Sequence, residues 1–149
     1  MKVMLFGGRD FTDLSVAARI LNSVLKKSPM FVEAFARGEV EFIHGDANGA
    51  DKTLGEVVEF STMKTCTTYP ADWNNLKVKP CIIGTNKYGN QYNKLAGMNR
   101  NTTMVDECDM AIGVWDGVSN GTRDSITKLK KANKPLYLFN YEGEEMSHV

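Results

Sequence analysis

The sequence predicts an α/β fold, a three-layer α/β/α sandwich around a central, mainly parallel sheet. Five short apolar runs alternate with segments in which apolar residues recur at helical spacing, as in consecutive β-α-β units. The runs are apolar at successive positions, which is typical of strands buried on both faces of a parallel sheet. A chain of 149 residues is long enough for one such domain.

The first half of the chain predicts three strands and two helices. The run KVMLF is closed by two glycines, and Thr12 or Asp13 is suited to cap the helix that follows. Pro29 either ends this helix or starts the next turn of chain. The predicted elements are a strand at 2–6, a helix at 14–25, a strand at 41–45, a helix at 49–63 and a strand at 65–69.

The second half begins with an irregular segment at 70–90, rich in proline, glycine and asparagine. A connection of this length is either a functional loop or a disordered one. The elements after it are a helix at 91–107, a strand at 110–115, a helix at 121–132 and a strand at 135–139. We expect the domain to span residues 1–140 and residues 141–149 to form an acidic tail.

Charge and cysteine content limit the function classes. The 18 basic and 18 acidic residues give no net charge, which argues against nucleic-acid binding because that needs a basic face. Lysines at 77, 79, 87 and 94 are expected on a solvated loop. Three cysteines, an odd number without a C-x-x-C pair, favour reduced thiols over a disulfide framework or a metal site.

Targeting signals are not evident in the sequence. The N-terminus turns glycine-rich after a few apolar residues, unlike a signal peptide, and no apolar run approaches the roughly 20 residues of a membrane span. We therefore expect a cytoplasmic protein without membrane association, in the host cytoplasm if the chain is viral.

Polar and glycine-rich stretches follow the predicted strands, at the sheet edge where ligands of such folds bind. HGDANGAD (44–51) and WDGVSNGT (115–122) each lead into a helix, whose N-terminal N–H groups suit a phosphate. In the first, Asp46 or Asn48 is alternatively a simple helix cap. His44 is either a ligand contact or a structural imidazole.

Two further stretches offer recognition groups. YPADW (69–73) brings Tyr69 and Trp73 as flat faces for a base, or as anchors of the long loop, and Asp72 as an acceptor for ribose hydroxyls. Arg100 lies on a mostly apolar helix, so it needs an anionic partner. That partner is either a structural carboxylate, such as Asp106 or Asp109, or a bound phosphate.

Taken in order, GGRDF (7–11), HGDANGAD, YPADW, GMNRNTTM (97–104) and WDGVSNGT resemble the YspA-like family of the SLOG superfamily. The resemblance covers about residues 1–139. It implies a Rossmann-like domain that binds ADP-ribose or a related nucleotide, often as a dimer or larger oligomer. The superfamily includes Lonely-guy phosphoribohydrolases, DprA-type DNA-processing proteins and nucleotide sensors of anti-phage systems.

The resemblance to the hydrolases favours binding over cleavage. Their signature is P-G-G-x-G-T-x-x-E, in which Gly121 and Thr122 match the G-T pair and Ser125 falls on the glutamate. Asp124 is acidic but precedes the glutamate position by one residue. On a helix, this shift rotates the side chain by about 100° about the helix axis. Arg100 matches the arginine of the family, whereas Asn101 replaces its lysine.

We therefore expect a protein that binds a nucleotide-derived small molecule, as a sensor or a sequestering protein, in phage–host nucleotide signalling if the chain is viral. The alternative is an N-glycosidase or phosphoribohydrolase, with Asp124 and Arg100 as candidate catalytic residues and Asp46, Asp51 or Asp72 as further replacements for the glutamate. No metal or required cofactor is expected. The predicted ligand-binding residues are Gly7, Gly8, Arg9, Asp10, His44, Gly45, Asp46, Gly49, Asp51, Tyr69, Asp72, Trp73, Arg100, Asn101, Asp116, Gly117, Ser119, Asn120, Gly121 and Thr122.

Overall fold

The structure, a computed structural model, describes residues 1–146. Its strands are β1 (Lys2–Gly7), β2 (Glu41–His44), β3 (Thr67–Thr68), β4 (Ile83–Thr85), β5 (Gln91–Asn93), β6 (Met110–Val114) and β7 (Leu136–Phe139). Its helices are α1 (Leu14–Lys27), α2 (Pro29–Ala36), α3 (Ala50–Thr62), α4 (Ala96–Glu107) and α5 (Asn120–Lys131).

Five parallel strands form the central sheet, in the order β3-β2-β1-β6-β7. In β1, Val3 lies opposite Phe42 of one neighbour and Met110 of the other. The chain builds outward from β1 to β3 and then crosses to the opposite side of β1. This reversal between β1 and β6 is the switch point at which ligands of open α/β sheets bind.

Helices cover both faces of the sheet. On one face α1, α2 and α3 pack around a core that includes Leu5, Ile20 and Ile112. On the other, α4 and α5 pack around Met104 and Leu129, among others. The predicted three-layer α/β/α sandwich with a parallel sheet is therefore confirmed.

Helix α2 is an element that the sequence did not predict as a helix. Pro29 takes its first position, where the missing N–H of proline has no helical acceptor to lose. The hydroxyl of Ser28 caps the helix by accepting a bond of 3.2 Å from the Phe31 N–H. Phe31 is fully buried and packs edge-on against Phe35 and Phe42, which holds α2 on the sheet.

The segment before α4 also differs from the expectation. Residues 91–93 form β5, which pairs antiparallel with β4, so α4 begins at Ala96 rather than at residue 91. Asn93 explains this start because its buried Oδ1 accepts bonds from the N–H groups of Ile82 (3.2 Å) and Leu95 (3.0 Å). The third predicted strand shrinks to the two residues of β3.

Residues 141–146 lie against the domain. The Tyr141 ring centroid is 5.4 Å from that of Phe11, and the Met146 N–H donates to the Leu138 carbonyl at 2.8 Å. Residues 147–149 of the expected tail lie outside the described residues. Within residues 1–146, no helix has the length and apolar character needed to cross a membrane.

Candidate functional site

A cleft of about 340 Å³ opens where β1 and β6 end. Its walls come from the segments that follow β1 and β2, from the start of α4 and from the start of α5. The lining residues are Phe6, Gly7, Arg9, Ala47, Asp51, Trp73, Lys94, Gly97, Met98, Arg100, Asn101, Met104, Ser119, Gly121, Thr122 and Ser125.

The start of α3 is fixed against the loop after β1. The Ala50 N–H donates to the Gly8 carbonyl at 3.0 Å. Gly49 caps the helix with φ of 89°, and a Cβ there would lie 2.3 Å from the Arg9 carbonyl, so only glycine fits. No side chain caps α3, so its first turn keeps N–H groups for an anion beside the cleft.

Asp51 lies in the first turn of α3 and lines the cleft. Its Oδ2 accepts bonds from the N–H groups of Gly45 (2.9 Å) and Ala47 (3.3 Å), which folds the loop after β2 over the helix. The side chain is only 6% exposed. Burial raises the pKa of Asp51 to about 6, against the lowering effect of these N–H groups and of Arg100.

Arg100 reaches from α4 to the loop after β2. Its Nη1 donates to the carbonyl oxygens of Gly45 (2.8 Å) and Tyr69 (3.4 Å), and its Nε donates to Asn101 Oδ1 (3.1 Å). Neither carboxylate predicted from the sequence bonds to it; Asp109, for example, accepts from the Lys2 N–H instead. Partial burial lowers the pKa of Arg100. The three hydrogen bonds hold the guanidinium at the cleft, and its partners in them are carbonyl and amide oxygens.

The start of α5 forms the opposite wall. Asp116 Oδ1 accepts from the N–H groups of Val118 (2.9 Å) and Ser119 (2.8 Å), which shapes the turn and lowers the pKa of Asp116. Trp115 Nε1 donates to the Ser119 carbonyl at 3.1 Å. No side chain caps α5, whose first turn includes Gly121 and Thr122 of the cleft wall.

An aromatic side chain forms the outer rim. Trp73 is 42% exposed and meets Tyr92 edge-on at 6.4 Å between ring centroids. The ring lies over Gly97, where an added Cβ would be 3.5 Å from it. Lys94, the residue after β5, lines the same rim. Trp73, which packs against Tyr92 of β5, brings a flat apolar face to the cleft mouth, and Lys94 brings a cation.

The cleft brings together nine of the residues that the sequence predicted: Gly7, Arg9, Asp51, Trp73, Arg100, Asn101, Ser119, Gly121 and Thr122. The predicted residues that do not line it are Gly8, Asp10, His44, Gly45, Asp46, Gly49, Tyr69, Asp72, Asp116, Gly117 and Asn120. Several of these, such as Gly45, Gly49 and Asp116, shape the loops that carry the lining residues.

Two predicted polar side chains, those of His44 and Tyr69, have partners away from the cleft. His44 is buried under Gly55 of α3, and its Nδ1 accepts from the Asp46 N–H at 2.9 Å. Burial lowers the pKa of His44. The Tyr69 hydroxyl donates to Glu107 Oε1 at 2.6 Å. These contacts hold the loops in place and point no group into the cleft.

Asp124, a candidate catalytic residue, lies behind the cleft wall. Its Oδ2 forms an ion pair with Lys128 Nζ at 2.8 Å and accepts from Asn101 Nδ2 at 3.3 Å. The carboxylate therefore fixes Asn101, the neighbour of Arg100, and does not line the cleft.

The structure adds lining residues that the sequence did not indicate: Phe6, Ala47, Lys94, Gly97, Met98 and Met104. Lys94 was expected on a solvated loop, and the two methionines fit the apolar stripe of a helix. These residues reach the cleft because of the way α4 and the β4–β5 hairpin pack. This packing cannot be predicted from a short stretch of sequence.

The charges of the lining favour an anionic ligand. Arg9, Lys94 and Arg100 face one carboxylate, Asp51, and two helix starts add positive potential. Among residues 1–146, no three His, Cys, Asp or Glu side chains are grouped to hold a metal. Comparison of the chain with protein-family models, curated proteins and solved structures finds no match.

Proposed function

We propose that this chain binds a nucleotide-derived small molecule, an ADP-ribose-like compound or a nucleoside phosphate, in the cleft beside β1 and β6. One observation carries the proposal: the uncapped starts of α3 and α5 and the Arg100 guanidinium all meet at one cleft. A helix start or an arginine is common on any protein surface. Together, these three groups supply N–H donors and positive charge from opposite walls of the cleft, which suits the binding of a phosphate group.

The cleft rim supports the nucleotide part of the proposal. Trp73 offers an exposed ring, and stacking on an aromatic ring is the usual way to hold a base without reading its edge. The volume of about 340 Å³ suits a small molecule rather than a polymer. The ion pair of Asp124 with Lys128 away from the cleft supports a binding role, as sensor or sequestering protein.

Calorimetric titration tests the proposal. We expect AMP, ADP or ADP-ribose to bind with a dissociation constant below millimolar, and Arg9→Ala to weaken binding about tenfold by removing an exposed cation from the lining. Arg37→Ala is the matched control, because Arg37 follows the last residue of α2 and pairs with Glu33, and it does not line the cleft. Absence of binding at millimolar concentration of every nucleotide would refute the proposal.

An N-glycosidase or phosphoribohydrolase activity is the second candidate, and Asp51 is the observation that favours it. Its buried carboxyl lines the cleft and has a pKa of about 6, which suits a group that exchanges a proton near neutral pH. Chromatography of nucleotide incubated with the protein would show base release. Asp51→Asn should abolish that release while leaving binding; bound ligand without turnover in the wild type would exclude the activity.

A further inference from the structure

The hydroxyl of Ser125 distinguishes it from the other buried polar side chains. Ser28, His44, Asp51, Thr53, Asn93, Asn101 and Thr122 are all buried, and each has a hydrogen-bond partner. Ser125 is 2% exposed, none of the hydrogen bonds among residues 1–146 involves its hydroxyl, and no fully enclosed side-chain oxygen or nitrogen of these residues lacks a partner, so the Ser125 oxygen reaches the cleft. A hydroxyl that opens into a cleft and has no partner in the fold is free to bond to a ligand there.

Ser125, Phe6 and Met104 all line the cleft and all are buried, so they form its floor. Ser125 also continues a row of hydroxyls on α5. Ser119, Thr122 and Ser125 are three residues apart, which places them on one helix face, and all three line the cleft. Thr122 Oγ1 donates to Ser119 Oγ at 3.3 Å.

The row begins at the helix start, where a phosphate would bind, and runs about 9 Å along the helix to Ser125. Hydroxyls both donate and accept, which matches the hydroxyls of a sugar, and the apolar faces of Phe6 and Met104 match its C–H groups. A phosphate alone would leave the far end of the row without a partner.

We propose that the α5 hydroxyl row, Ser119, Thr122 and Ser125, binds a pentose that is linked to the phosphate, with Ser125 as the residue that selects for this sugar. The inference rests on the proposed function and names the part of the ligand that reaches the cleft floor. The pentose has two sources: the ribose of the nucleotide itself or the terminal ribose of an ADP-ribose-like compound.

Calorimetry of the full chain with Ser125→Ala separates these cases, with AMP, ADP, ADP-ribose and pyrophosphate as probes. We expect Ser125→Ala to weaken binding of the sugar-bearing probe about tenfold and to leave pyrophosphate binding unchanged. If Ser125→Ala weakens the binding of AMP, ADP and ADP-ribose alike, the hydroxyl row binds the ribose of the nucleotide. If it weakens the binding of ADP-ribose alone, the row binds the terminal ribose. Thr127→Ala removes an exposed hydroxyl from the same helix and should bind every probe as the wild type does.

A stability measurement separates a ligand contact from a structural role. Ser125→Ala should have a thermal midpoint at or above that of the wild type, because the hydroxyl has no partner in the fold. The inference is overturned if Ser125→Ala binds every nucleotide as tightly as the wild type, or if pyrophosphate binding weakens equally. Failure of the wild type to bind any probe would instead refute the proposed function.

Discussion

Arg100 Nη1 of α4 donates a hydrogen bond of 2.8 Å to the carbonyl oxygen of Gly45, the residue directly after β2. A Cβ on Gly45 would lie 2.2 Å from the same nitrogen. The guanidinium therefore occupies the space that any other side chain at position 45 would need. This contact joins two elements that are far apart in sequence and fixes the cation beside the cleft.

Gly45→Ala should displace Arg100 and weaken nucleotide binding about tenfold, because the cation leaves its place beside the phosphate. Gly45 does not have a positive φ, so alanine fits the backbone and the fold should persist. Calorimetry with ADP measures the affinity, and circular dichroism checks the fold. Wild-type affinity in a folded Gly45→Ala protein would show that Arg100 has no role in binding.

Gly49→Ala should lower the free energy of unfolding by about 2 kcal/mol or more, because the added Cβ meets backbone atoms of Gly8 and Arg9 at positive φ. Gly121→Ala is the matched control for stability. An added Cβ there meets no heavy atom within 4 Å, and alanine is the better helix former. Urea denaturation compares the two; equal stability of both variants would contradict this account of the α3 start.

Asp51 should make stability depend on pH. Its pKa rises from 3.8 unfolded to about 6 folded, so the folded state binds more protons between these values. The contribution of Asp51 to the free energy of unfolding should therefore be most favourable below pH 4. It should fall by up to about 3 kcal/mol as the pH rises through 6. Urea denaturation from pH 4 to 7 should show a flatter profile for Asp51→Asn, and parallel profiles would contradict the prediction.

Trp73→Ala should weaken nucleotide binding about tenfold through loss of base stacking, and should leave pyrophosphate binding unchanged. Tyr88→Ala is the control, because Tyr88 is 77% exposed on the β4–β5 hairpin and does not line the cleft. Calorimetry with ADP and pyrophosphate measures both. Equal losses for the two ligands would mean that Trp73 shapes the cleft and does not hold a base.

The sequence predicted β1, β6 and β7 well because these strands are apolar at nearly every position and end at a glycine or a polar loop, whereas β3 consists of two exposed threonines. The sequence did not predict α2 because a proline is compatible both with the end of one helix and with the first position of another. The burial of Phe31, which holds α2 on the sheet, is a tertiary contact that the sequence pattern does not show. The sequence misjudged residues 91–95 because the start of α4 depends on Asn93, whose partner Ile82 is eleven residues away.

The cleft lining was predictable where a residue lies in the first helical turn after a glycine-rich loop, as at Asp51 and Gly121. It was not predictable where packing alone brings a residue to the cleft. Lys94 looks like a solvated lysine, and Met104 looks like an ordinary core residue of α4. The backbone carbonyl partners of Arg100 could not be predicted either, because sequence patterns point to side chains and say nothing of where a carbonyl faces.

The central claim is that the starts of α3 and α5 bind the phosphates of one nucleotide, and amide chemical shifts test it most directly. Titration of ADP into 15N-labelled protein should move the N–H signals of Asp51, Lys52, Gly121 and Thr122 together, with one common dissociation constant. The groove between α1 and α3, which contains Leu14 and Phe60, should show no shift. Saturable shifts confined to other surfaces, or none at millimolar ADP, ADP-ribose and AMP, would contradict the claim.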